Sequence, residues 1–149
     1  MLSPKNRQKF VFFQTKEDAM GKISDHIKEA DWKSEKHVPV IECSETVKVG
    51  EPFTVTVSVG KEIPHPNTTE HHIRWISLYF HPKGENQVYE VGHYEFNAHA
   101  ESVKGANEGP ILTEPIVQTT LKIKGPGILH AIELCNIHGL WQSTKEIAV

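Results

Sequence analysis

The chain has 149 residues, of which 38% are hydrophobic and 23% are charged, the composition of one ordinary globular domain rather than of a disordered or fibrous chain. Its 16 Lys and Arg residues are outnumbered by 19 Asp and Glu residues, and the net charge of −3 argues against nucleic acid as a partner. Ten histidines with only two cysteines exclude a disulfide-dense module and direct attention to a histidine-rich metal site.

The first 31 residues differ from the rest and are interpreted as an N-terminal extension, separate from a domain over residues 32–149. Thr15 is a suitable N-cap for one short amphipathic helix over about residues 16–30. Met20, Ile23 and Ile27 recur at helical spacing within it. Because this apolar stripe is narrow, we expect the helix to lie on the main body or on a neighbouring subunit.

No signal for export or membrane insertion is visible in the sequence. No apolar run reaches the roughly 18–20 residues of a membrane span, and the apolar stretch 10–13 is too short for the core of a secretory signal. We therefore expect a cytoplasmic protein without membrane contact, in which Cys43 and Cys135 are free thiols. A disulfide between them is the alternative, and it would need an oxidising compartment.

From Val38 onward the hydrophobic pattern has the period of β-strands. Residues 53–59 alternate strictly between apolar side chains and Ser or Thr, as in a half-buried strand. Segments rich in β-branched and aromatic residues follow, separated by Gly- and Pro-containing turns, at 72–80, 87–99, 115–124 and 127–134. Short strands with no intervening helices predict an all-β fold, an antiparallel β-sandwich.

Three segments at predicted strand edges or loops concentrate the residues that could bind a metal; they are 35–39, 65–72 and 135–139. Cys135 and His138 form a Cys-x-x-His pair that can chelate one ion if the backbone turns, with Gly139 supplying the permissive dihedral. The alternative for this pair is a buried Cys beside an exposed His.

The other two segments supply further imidazoles. His65 lies between two prolines, and only one of the adjacent residues His71 and His72 can face the same point in an extended segment. We favour His71, because His72 begins the alternating strand, but the pattern leaves the choice open. His37 follows Glu35 and Lys36; the carboxylate could ligate a ferric ion and the ammonium could attract an anion.

Four imidazoles and one thiolate favour iron over other metals. Structural zinc almost always stops at four ligands. A blue-copper site normally has a weak axial Met downstream of its Cys, whereas the only methionines here are Met1 and Met20.

The sequences Glu35-Lys36-His37-Val38-Pro39, 60–73 and Cys135-Asn136-Ile137-His138-Gly139-Leu140-Trp141 together resemble the superoxide reductase family, and more narrowly its neelaredoxin type with one iron centre. The resemblance runs from about Asp31 to the C-terminus. It implies an immunoglobulin-like β-sandwich that holds one mononuclear non-haem iron. The implied ligands are four equatorial histidines and one axial cysteine, here His37, His65, His71, His138 and Cys135.

The resemblance also implies roles for two neighbours of His37. Glu35 would occupy the sixth position of ferric iron, and Lys36 would stand near the open site as a catalytic residue. The implied reaction is the one-electron reduction of superoxide to hydrogen peroxide, with a rubredoxin-like protein as electron donor and a homo-oligomer, often a tetramer, as the assembly. This chain has no cysteine before Cys43, so the extra iron centre of the desulfoferrodoxin type should be absent.

Two other functions fit the same residues. One is a non-enzymatic β-sandwich that binds zinc or iron, and the other is a superoxide dismutase. The histidines outside the motifs are expected to be structural or at the surface, namely His26, His81, His93, His99 and His130. The roles of His72, His130 and Cys43 are not assigned by the sequence.

Overall fold

The computed structural model describes residues 21–149, which form seven β-strands in two antiparallel sheets. The strands are β1 (Pro39–Glu42), β2 (Phe53–Val59), β3 (Ile73–Pro82), β4 (Tyr89–Glu95), β5 (Ile116–Leu121), β6 (Gly127–Cys135) and β7 (Gly139–Ile147). The smaller sheet has the order β1-β2-β5 and the larger has the order β4-β3-β6-β7. Three strands facing four is the arrangement of an immunoglobulin-like sandwich, and the predicted all-β fold is confirmed.

The core lies between the sheets and follows from the alternation of side chains along each strand. In β2, Val55 and Val57 are completely buried, while Thr54 and Thr56, which alternate with them, are more exposed. In the larger sheet, Ile76 and Leu78 of β3 pack with Leu129 of β6 in the same cluster. Such alternation orients one face of each sheet inward and fixes the register of the strands.

Two strands differ from the sequence-based prediction. The pattern did not predict β7, and β1 was not delimited as a strand. The burial of β7 alternates only weakly along most of its length, because it is an edge strand beside β6. The four-residue β1 is too short for a periodic signal.

The N-terminal helix predicted over about residues 16–30 is wrong in its described part, while residues 16–20 lie outside the described residues. Ile23–His26 form only a single 3₁₀ turn, and Ile27 is extended. Lys28 then makes a parallel bridge to Trp141 of β7. Ile23 is 71% exposed and Ile27 is only half-buried, so this part of the apolar stripe is not packed as a helix face. A helix this short has little stability without such packing, and pairing with an edge strand satisfies the backbone instead.

Cys43 and Cys135 are both free thiols, as expected. Within residues 21–149, no helix combines the length and the apolar character that crossing a membrane requires.

Candidate metal centre

The three motif segments meet at one end of the sandwich. His37 lies just before β1, the segment with His65 and His71 connects β2 to β3, and the turn with His138 connects β6 to β7. The strand register brings them together, because Ile73 pairs with Cys135 and Cys135 pairs with Gly139. Gly139 has φ +82°, so the predicted left-handed residue that turns the chain between Cys135 and β7 is confirmed.

Five donor atoms converge at this end. One ligand atom from each of His37, His65, His71 and Cys135 lies within 4.8 Å of every other. The fifth is Nδ1 of His138, which lies 3.1 Å from Nε2 of His37 and 3.2 Å from Nε2 of His71. The same Nδ1 is 3.8 Å from Sγ of Cys135. The structure therefore brings together all five residues that the sequence singled out, and their role as metal ligands stays a prediction.

These distances fit a bound metal ion. Two imidazole nitrogens at right angles around an ion, each at about 2.1 Å, lie about 3.0 Å apart, close to the two spacings of His138 Nδ1. Nε2 of His65 is buried and has no hydrogen-bond partner, while its Nδ1 is held by Pro66 O at 2.6 Å. A buried, unpaired nitrogen is costly unless something occupies the space in front of it, and a metal ion would satisfy it.

Local backbone contacts aim the histidines of the β2–β3 connection. Gly60 has φ +85°, and a Cβ there would lie 2.6 Å from the backbone N of His65, so only glycine lets the chain pass this close. Further along, Thr68 Oγ1 accepts a hydrogen bond from His71 N at 3.0 Å. These contacts leave Nε2 of His71 directed at His138.

The two adjacent histidines His71 and His72 occupy different positions in the structure. His72 is buried, and its Nδ1 is 2.9 Å from Thr68 O. Its ring stacks on His99 with centroids 3.5 Å apart. His72 thus belongs to the packing behind the connection, and His71 is the one of the pair that faces the other donors.

Glu35 lies against the outer side of His37. Its Oε1 is 2.6 Å from Nδ1 of His37 and also accepts a hydrogen bond from the His37 backbone N at 3.1 Å. A carboxylate on the second nitrogen fixes the orientation of an imidazole and makes it a better ligand. The implied position of Glu35 as a sixth ligand would require it to leave this contact.

The electrostatic environment suits binding to a cation. Burial lowers the pKa of His37 and His71 and lowers that of His65 to about 4, so these rings are neutral and their lone pairs are free near pH 7. Burial raises the pKa of the Cys135 thiol, so a nearby cation is needed to hold it as a thiolate. The charge of Lys36 acts against protonation of all three histidines, which places its ammonium within electrostatic reach of the site.

The centre is open on one side and walled on the other. Ile137 and His138 are exposed in the β6–β7 turn, with Ile137 at 59%. Trp141 stacks on His37 with ring centroids 5.0 Å apart and an interplanar angle of 13°. The ammonium of Lys28 lies 5.2 Å from the centroid of the Trp141 ring. A small solute can reach such a site without a deep cavity.

Sequence reasoning missed one residue that builds this centre. Asn136 Oδ1 accepts a hydrogen bond from His72 N at 2.9 Å, and its Nδ2 donates to Glu70 O at 2.8 Å. Asn136 therefore ties the Cys-x-x-His turn to the segment that carries His71. An Asn directly after a candidate ligand is a signal for such side-chain to backbone bonding.

Comparison with known proteins identifies the family to which this chain belongs. Residues 29–144 match the family model described as desulfoferrodoxin. The chain belongs to the desulfoferrodoxin family. Its superoxide reductase relative from Pyrococcus furiosus is 60% identical over 121 residues, which are 81% of this chain and 95% of the relative. The neelaredoxin of Megalodesulfovibrio gigas is 59% identical over 128 residues, 86% of this chain and 98% of that protein.

A solved structure of the family shares the fold. The superoxide reductase (neelaredoxin) of Archaeoglobus fulgidus in its reduced form superposes with a TM-score of 0.78 at 49% identity, covering 83% of this chain and 99% of the other. The family resemblance drawn from the three motifs is thereby confirmed.

Proposed function

We propose that this chain is a superoxide reductase, which converts superoxide, one electron and two protons into hydrogen peroxide. The observation that carries the proposal is the convergence of four imidazoles and one thiol at the end of the sandwich. Membership of the desulfoferrodoxin family supports it, as do relatives named superoxide reductase that match nearly along their full length.

We propose one mononuclear iron as the metal, held by His37, His65, His71, His138 and Cys135. The donor set supports iron, because four nitrogens with a thiolate exceed the four ligands of structural zinc. Iron bound by these residues would supply the one-electron chemistry of superoxide reduction, with the electron coming from an external donor.

Cys135 acts as the thiolate of the site. Its Sγ accepts a hydrogen bond from the His138 backbone N at 3.4 Å, and its side chain is buried, with 1% exposure. The negative charge of a desolvated thiolate here would donate electron density to a bound metal and would favour loss of the anionic product. Burial on the core side also keeps water and oxidants away from the sulfur.

Lys36 draws the substrate to the open side. Superoxide is a small anion, and a local positive charge steers it even though the whole chain carries a net charge of −3. The same ammonium can order the water that delivers protons to the reduced substrate. Lys36 is partly exposed, so it can serve both roles without losing contact with solvent.

Glu35 has two proposed roles that alternate. While it contacts Nδ1 of His37 it holds that ring in its ligating orientation. As a sixth ligand it would close the open position after the substrate has been reduced, which protects the oxidised site until an electron arrives. Its 32% exposed side chain leaves room for such a movement.

We propose a rubredoxin-like protein as electron donor, a homo-oligomer (a tetramer by family resemblance) as the assembly, and the cytoplasm as the location. A reducing compartment suits a site that depends on a free thiolate. The division at residue 31, between an N-terminal extension and the sandwich, is likewise a proposal.

Metal analysis with a visible spectrum tests the proposal against the zinc-binding alternative. The purified chain should contain one iron and be coloured when oxidised; a colourless zinc protein would refute the reductase. His71→Ala should lose the iron, whereas His81→Ala, at the far end of β3, should retain it. Equal iron contents in the two variants would overturn the ligand assignment.

A further inference from the structure

His99, which was expected to be structural or at the surface, is buried with 2% exposure and lies directly behind the connection that carries His65 and His71. Its backbone O accepts a hydrogen bond from Thr69 Oγ1 at 2.6 Å, and its ring stacks on His72 at an interplanar angle of 6°. The position of this ring therefore helps to fix the position of the connection that carries His65 and His71.

Both ring nitrogens of His99 face oxygen atoms that can only accept. Nε2 is 2.6 Å from Phe96 O, and Nδ1 is 3.0 Å from Asn67 Oδ1. The orientation of the Asn67 amide is fixed from its other side, because its Nδ2 donates to Thr113 O at 3.1 Å. The opposite orientation would set Oδ1 against that carbonyl, with two acceptors in contact.

A neutral imidazole has one N–H and cannot satisfy two acceptors, whereas an imidazolium has two.

The charged groups around the ring act in both directions. Together they lower the pKa of His99 below its ordinary value: burial is the largest cause and the charges of His72 and Arg74 act the same way, while Phe96 O and the carboxylate of Glu101 act against this lowering. Glu101 Oε2 accepts a hydrogen bond from His99 N at 2.7 Å, which brings a compensating negative charge beside the ring. Against this lowering stands the hydrogen-bond geometry, because the contacts with Phe96 O and Asn67 Oδ1 present two acceptors that only the doubly protonated ring can satisfy.

The backbone beside His99 is also constrained. Ala100 has φ +60°, a left-handed conformation that costs energy for a residue with a side chain and persists only where the surroundings enforce it. Gly109 N donates to Ala100 O at 2.8 Å and Thr113 N donates to Ala98 O at 2.7 Å. The segment around His99 is thus held in place by backbone hydrogen bonds to residues 109 and 113.

We propose that His99 is a positioning residue of the metal centre, and that it holds the connection bearing His65 and His71 as a buried imidazolium stacked on His72 and bonded to Asn67. The positioning role rests on the proposed metal site, whereas the protonation state does not.

The protonation state can be observed in the unmodified chain. In the zinc-loaded protein with ¹⁵N-labelled histidines, long-range ¹H–¹⁵N correlation at pH 7.5 should show both nitrogens of one buried ring protonated, and His99→Phe should remove that signal. A neutral His99 with one unprotonated nitrogen would overturn the proposal. This result comes from the parent protein, so it does not depend on whether any variant folds.

The positioning role is measured by zinc release to excess chelator from the full-length chain. His99→Phe keeps an aromatic ring for stacking but removes both donors, and it should release zinc 10- to 100-fold faster, as expected for an outer-shell partner. His81→Phe, the matched control, should stay within about twofold of the parent. Release from His99→Phe at the parental rate would overturn the proposal. His71→Ala tests the proposed metal site itself. If this variant retains zinc like the parent, the assignment of the metal site is refuted, and this is distinct from a refutation of the role of His99.

Discussion

Replacing Glu35 with Ala should weaken binding of ferrous iron, because it removes the carboxylate that orients His37. The 2.6 Å contact between Glu35 Oε1 and His37 Nδ1 is charge-assisted. Such bonds contribute about 1.5–3 kcal/mol, and the 32% exposure of Glu35 places this one near the lower end. A loss of about 1.5–2 kcal/mol corresponds to roughly 13- to 30-fold in affinity.

The measurement is anaerobic competition for Fe²⁺ between the protein and a chromophoric chelator. Glu35→Gln keeps an acceptor oxygen within reach of Nδ1 and should lose clearly less affinity than Glu35→Ala. Glu45→Ala removes an exposed carboxylate at the other end of the sandwich and serves as the matched control.

The two proposed roles of Glu35 separate in this experiment. If Glu35→Ala binds Fe²⁺ as tightly as the parent and only the spectrum of the oxidised form changes, the carboxylate acts as a sixth ligand alone. The orienting role inferred from the 2.6 Å contact would then be refuted.

Four further changes have defined outcomes. Cys135→Ser should abolish the thiolate-to-iron charge-transfer band in the visible spectrum, and an unchanged band would contradict the assignment of Cys135 as a ligand. Lys36→Ala should slow the reaction with superoxide and flatten its dependence on ionic strength in pulse radiolysis; if neither changes, Lys36 is only a surface charge. Leu78→Ala, at a completely buried position, should cost about 2–5 kcal/mol in urea unfolding, against less than about 0.5 kcal/mol for Leu112→Ala at an exposed one. Burial lowers the pKa of His130, so protonation favours the unfolded chain, and the free energy of unfolding should fall as the pH drops below about 6.5. His130→Leu should reduce the slope of the unfolding free energy against pH, and an unaltered slope would show that His130 does not contribute.

The sandwich could be predicted because its signal is local. The alternation over residues 53–59 reflects a strand with one face in the core, and it needs no knowledge of the partner strand. The edge strand β7 lacked this signal, since its side chains are nearly all half-buried until its last residues. The prediction of the helix was wrong for a related reason. Its apolar stripe implied a surface against which the helix would pack, whereas Ile23 is exposed to solvent.

The candidate site was predictable as a set of residues, and its finer arrangement was not. The spacing of Cys135 and His138 by itself indicated a chelating pair, whereas the full set with His37 and His65 came from the resemblance of the three motifs to the family. The choice of His71 over His72, the contact of Glu35 with the far side of His37 and the place of His99 all depend on packing between distant segments. No periodicity in one sequence records such contacts.

The stoichiometry of superoxide loss tests the central claim most directly. With the iron-loaded chain and a one-electron donor in excess, each superoxide consumed should oxidise one donor equivalent and yield one hydrogen peroxide without release of dioxygen. Superoxide loss that consumes no donor and yields one dioxygen and one hydrogen peroxide for every two superoxide ions would identify a dismutase and contradict the account.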